Sequence, residues 1–136
     1  MESFPGKVGL IQRVVPEYRA PFFNALGNAC RGGLSVFAGL PRPDEMIKPV
    51  DRLEGARLTY GKNLHLFSGK AYLCLQYGLI GWLQAWNPDA LIVEANPRYL
   101  RTPAAIRWMR HRNRPVIGWG LGSSPAQGHF AGMRTA

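Results

Sequence analysis

The feature that most constrains this chain is a recurrence of short, mostly apolar runs set between stretches of helical pattern. Val8–Val15 (VGLIQRVV), Leu34–Ala38, Ala90–Val93 (ALIV) and Pro115–Trp119 (PVIGW) are the clearest of them. Runs rich in β-branched residues that are apolar on both alternations suit strands buried on both faces, as in a parallel sheet. Strands alternating with helices predict an α/β fold: an open, mostly parallel sheet with helices on both faces. A length of 136 residues fits a single domain spanning 1–136.

The helices follow from punctuation. Pro21 suits a first helical turn, where its missing amide hydrogen costs nothing, and Phe22, Phe23, Ala25, Leu26, Ala29 and Cys30 recur with a helical period until Gly32 and Gly33. Tyr72–Trp86 is apolar almost all round and predicts one buried helix, ended by Asn87, Pro88 and Asp89. Thr102-Pro103 predicts an N-cap and first turn for a helix to about Arg112, with Ile106 and Met109 inward and Arg107, Arg110 and His111 in water. Between Gly39 and Gly69 three prolines mark a loop, and only Arg57–Tyr60 and Leu64–Phe67 resemble strands.

Charge narrows the partners without choosing one. The net charge is +9, all eight acidic residues lie at or before Glu94, and seven arginines follow it. Such a surface attracts phosphate-bearing ligands, acidic lipid headgroups or nucleic acid. No nucleic-acid-binding motif accompanies the charge, so nucleic acid is the weaker reading. The six arginines from Arg98 to Arg114 form either a basic patch or an ordinary solvated helix face. Cys30 and Cys74 lack metal-ligand or redox spacing and read as small buried side chains, and no secretory signal opens the chain, so a cytoplasmic location is expected. The scattered histidines predict no metal site.

In an open α/β sheet, ligands bind beyond the carboxyl ends of the strands, which singles out three loops. Pro16–Ala20 carries Glu17, Tyr18 and Arg19. Arg19 precedes a helix start that favours anions, while Glu17 serves either a ligand or the helix dipole. The EANPRYL loop combines Glu94 at a strand end with Asn96 and Arg98, groups able to bind a hydroxylated or phosphorylated ligand or simply to build an Asn-Pro turn. The last, GWGLGSS, offers Gly120, Gly122 and Ser123 for close approach of a ligand or another domain. It fails as a dinucleotide fingerprint, so no nicotinamide or flavin cofactor is expected.

Taken together, VGLIQRVVPEYRAPFFNAL, LSVFAGL, WNPDALIVEANPRYL and RPVIGWGLG, over about Lys7 to Ser124, resemble the N-terminal domain of GT-B glycosyltransferases, in particular the family 4, group 1 type. The resemblance implies a Rossmann-like acceptor-side half facing a donor-binding domain that holds the nucleotide sugar. It implies no obligatory metal or other cofactor, and a sugar acceptor that is a glycan or lipid-linked. Glu17 matches a position near the acceptor hydroxyl in several branches of the family, which implies a catalytic or substrate-positioning role. The paired glycines common in that loop are absent. The basic surface adds an expected anionic membrane surface, at the inner face of a membrane. On this reading the donor half is missing after residue 136 or is supplied by a separate subunit, the chain does not turn over alone, and about Ser124 to Ala136 is a truncated, mobile linker or tail.

Overall fold

Five short strands line up in parallel through the middle of the protein, in the order Arg57–Tyr60, Leu34–Ala38, Val8–Ile11, Ala90–Glu94, Val116–Trp119. The computed structural model describes residues 4–120. Along the chain the elements are β1 (Val8–Ile11), α1 (Ala20–Asn28), β2 (Leu34–Ala38), β3 (Arg57–Tyr60), β4 (Lys62–Leu66), β5 (Leu73–Tyr77), α2 (Leu79–Trp86), β6 (Ala90–Glu94), α3 (Thr102–Arg110) and β7 (Val116–Trp119). This is the open, Rossmann-like α/β sheet expected from the apolar runs. Gly122, Ser123 and the segment 124–136 lie outside the described residues.

Alternation along each strand divides the core in two. Val8 and Leu10 of β1 and Leu34, Val36 and Ala38 of β2 point to the face covered by α1, where Phe23 is completely buried. Burying a phenylalanine stabilises by roughly 2–3 kcal/mol. Ile11, Phe37, Leu91 and Val93 point to the other face, against Leu79, Trp82 and Leu83 of α2 and Ala105 and Met109 of α3. There the Trp82 indole N–H donates to Ser35 Oγ at 2.8 Å, pairing two buried polar groups of opposite layers. Arg107 and Arg110 of α3 and its C-cap His111 are exposed, as the helical period predicts.

Three local expectations are corrected. The predicted helix Tyr72–Trp86 is two elements: Leu73–Tyr77 is a strand, paired antiparallel with Lys62–Leu66, and the helix starts only at Leu79. Gly78 separates them with φ of +87°, a left-handed conformation that no helix interior accommodates. The first strand ends at Ile11 rather than Val15, although Val14 and Val15 stay buried. Thr102 is a buried residue inside the first turn of α3; Arg101 occupies the N-cap and no side chain caps the helix.

Candidate functional site

β1 is the hub of the topology. The chain leaves it for β2 on one side and returns, after β3 and the β4–β5 hairpin, to β6 on the other. Loops that leave two neighbouring strands in opposite directions open a crevice at their carboxyl ends. The residues delivered there are Gln12 and Arg13 after β1, and Glu94, the last residue of β6. The Arg13 backbone N–H donates to Glu94 Oε1 at 3.4 Å, so the two loops touch across the switch point. Glu94 is also the register partner of Trp119 at the end of β7.

Burial pushes the Glu94 carboxyl above the usual carboxylate range, against the opposing pull of a Tyr99 hydroxyl, the Arg13 amide, and the Arg13 and Arg19 charges. Tyr99 is itself nearly buried, and burial together with the Glu94 charge pushes its phenol up, which keeps it a proton donor to the carboxylate. A carboxyl so placed takes a proton more readily than a solvated one and can hydrogen-bond a hydroxyl. Trp119 extends this site outward: Phe22 packs on it at 5.6 Å between ring centroids, and the Arg19 guanidinium lies 5.6 Å from its centroid.

Below Glu94 the Arg13 side chain enters a second polar cluster. Its guanidinium donates to both Glu45 carboxylate oxygens and lies 5.7 Å from the Tyr72 ring centroid. Arg42 also lies over Tyr72, at 4.6 Å, and His65 Nδ1 is 2.6 Å from the Tyr72 hydroxyl. The β4–β5 hairpin is moored to both loops of the switch point. Asn63 donates to the Arg13 carbonyl and Gln76 to the Gln12 carbonyl, while Cys74 bridges the backbone of Tyr99. Burial raises the Cys74 thiol, and Cys30, also free and buried, is raised for the same reason, so neither is an activated nucleophile.

The sequence-predicted residues divide accordingly. Glu94 and Arg19 converge on the crevice, and Asn96 sits beside them, its amide donating to the Glu94 carbonyl and its Oδ1 accepting from the Arg98 amide in an Asx turn. The Arg98 side chain turns to the hairpin, donating to the Gly69 and Tyr72 carbonyls. Glu17 and Tyr18 are exposed in a 3-10 turn; Glu17 pairs with Lys48 at 3.4 Å, on the rim of a recess of about 420 Å³ shared with Met46 and Ile47. Gly120 is exposed just past β7. Arg13, Glu45, Tyr72 and His65 were not singled out by sequence; the one signal for them is the Gln12-Arg13 pair interrupting an apolar run. Among the described residues no group of three or more His, Cys, Asp or Glu is placed to hold a metal ion, and no helix is long and apolar enough to cross a membrane.

No protein-family model matches the chain, and no curated protein or solved structure does.

Proposed function

We infer that this chain is the acceptor-binding half of a GT-B-type glycosyltransferase, moving a hexose from a nucleotide sugar to a glycan or lipid-linked acceptor in cell-surface polysaccharide or glycolipid synthesis. The observation that carries the reading is Glu94: a carboxyl of raised proton affinity at the topological switch point, fed by Tyr99 and flanked by Arg19 and Trp119. An acceptor hydroxyl needs a group that orients it and can take its proton, and an apolar surface with a few convergent polar groups is the usual form of such a site. Glu17, the position implied by the resemblance, stands on the exposed rim and acts there on the incoming acceptor or on the facing domain.

A lipid-linked acceptor suits the adjoining surface. Phe67 is 70% exposed beside Lys70 and Arg98 at a recess of about 450 Å³, so an apolar chain and an anionic phosphate find partners together. This favours work at the inner face of a membrane.

The test is amide and indole NMR of the full chain, with a short-chain polyprenyl-diphosphate monosaccharide as probe and a panel of UDP- and GDP-sugars as comparison. The expected result is saturable shifts at Trp119, Glu94 and Tyr99 with the lipid-linked sugar and none there with nucleotide sugars. Saturable nucleotide-sugar binding at Glu94 would reverse the assignment to the acceptor side. Selective binding of a structured oligonucleotide at this crevice would replace it with a nucleic-acid-binding function.

A further inference from the structure

A second concave site lies at the opposite, amino-terminal edge of the sheet. Its wall runs from Lys7, just before β1, through Gly32 and Gly33 before β2 to Arg57, the first residue of β3, and Trp86 at the end of α2 closes it. The recess is open on its outer side and offers about 680 Å³, within the range that holds small ligands. Arg31 and Glu54 also stand among the lining residues.

Trp86 organises the charge. Its indole N–H donates to the Val8 carbonyl at 2.9 Å, which fixes the ring. The Lys7 ammonium and the Arg57 guanidinium each lie 5.3 Å from that ring's centroid, so the two charges are within about 11 Å of each other. Neither Lys7 nor Arg57 has an ion pair among the described residues, whereas Arg13, Arg42 and Lys48 each meet a carboxylate. Gly32, Gly33 and Gly55 add backbone without side chains to the lining. Gly33 has φ of +98°, and a Cβ there would stand 3.3 Å from the Trp86 ring; a Cβ on Gly32 would meet the Gly6 backbone at 2.5 Å. A multiply charged anion that reaches both Lys7 and Arg57 gains two cationic partners.

We propose that this pocket binds a small phosphate-bearing ligand, with Arg57 donating in parallel to two phosphate oxygens and Lys7 supplying a point charge. A diphosphate offers anionic oxygens to both Lys7 and Arg57 and fits the available volume; a phosphomonoester shares the chemistry with less charge. The site is independent of the Glu94 crevice and of the glycosyltransferase reading.

Inorganic phosphate and pyrophosphate, titrated into the full chain at constant ionic strength, test the proposal. The readout is the Trp86 indole resonance, with sodium sulfate and a short single-stranded oligonucleotide in parallel arms. Saturable movement of that resonance is expected, tighter for pyrophosphate than for phosphate. Lys7→Gln and Arg57→Gln each weaken it on the order of tenfold, and Arg110→Gln on exposed α3 leaves it unchanged. Equal affinity in wild type and both pocket variants would overturn the assignment, as would equal weakening by Arg110→Gln. Binding of the oligonucleotide without pyrophosphate would overturn it too, in favour of a nucleic-acid surface.

Discussion

The Arg13 guanidinium and the Glu45 carboxylate meet through two hydrogen bonds of 2.8 and 2.6 Å, with both side chains about 15% exposed. The pair joins the loop after β1 to the long 39–56 connection, and through Tyr72 both are joined to the β4–β5 hairpin. Arg42 adds its backbone N–H to Glu45 Oε1 at 2.7 Å. One carboxylate therefore holds together the segments that lie beneath the crevice.

Removing that charge has a calculable consequence. The hydrogen bond from Arg13 holds the Glu45 carboxyl at about 2, well below its ordinary value of 4.5. A depressed carboxyl stabilises the fold fully above its unfolded value, and the contribution is lost as pH falls from about 4.5 through about 2. Glu45→Gln should therefore cost roughly 2–4 kcal/mol at neutral pH, because Arg13 is left without its counter-charge. Urea unfolding at pH 7 measures the loss. Repeated between pH 5 and 2, it should show the variant's stability falling less steeply than wild type. Parallel curves would mean that Glu45 is not the group holding the acid limb.

Two glycines separate steric from conformational cost. At Gly27 a Cβ would stand 1.9 Å from the Gly55 carbonyl oxygen, where α1 packs backbone to backbone on the segment before β3. Gly27→Ala should cost more than about 3 kcal/mol or prevent folding. At Gly78 the nearest side-chain atom to a Cβ is 3.9 Å away, so only the left-handed backbone opposes a side chain. Gly78→Ala should cost about 1–2 kcal/mol. Melting temperatures of the two variants give the comparison; equal losses would contradict the close approach at Gly27.

Legibility tracked how local the determining contacts are. β2 was readable to its ends, since Leu34–Ala38 is buried on both faces and its neighbours Gly33 and Gly39 punctuate it. β5 was not. LCLQYGLIGWLQAW is apolar on every period, and the partner that makes its first part a strand is Lys62–Leu66, of which no residue is fully buried. The rule that ligands sit past carboxyl ends singles out Glu94 and Arg19, which the fold brings to one crevice. It could not find Glu45 or Tyr72, which reach Arg13 across 32 and 59 residues of chain through a loop and a hairpin without periodic signal.

Glu94 is where stability and the proposed activity oppose one another. Its folded proton affinity is raised, chiefly by burial. Protonation thus favours the fold: the contribution is present below the ordinary value of 4.5 and is lost as pH rises through the higher folded value. Above that value the protein carries a partly desolvated carboxylate that the Tyr99 hydroxyl, the Arg13 amide and the Arg13 and Arg19 charges only partly offset. Glu94→Gln keeps the size and an acceptor for Tyr99 while removing the charge. It should unfold at higher urea than wild type at pH 8, with the difference vanishing below about pH 4.5, whereas Glu17→Gln, at an exposed ion pair, should shift stability by less than about 1 kcal/mol. The same Glu94→Gln chain should bind the polyprenyl-diphosphate monosaccharide more weakly at pH 8 despite its greater stability. A group retained at a cost to the fold and needed by the ligand is one kept for function. A Glu94→Gln protein that is less stable than wild type at pH 8 would show instead that the ionised carboxylate is a structural tie between β1, β6 and Tyr99, and the case for a proton-accepting site at the switch point would fall with it.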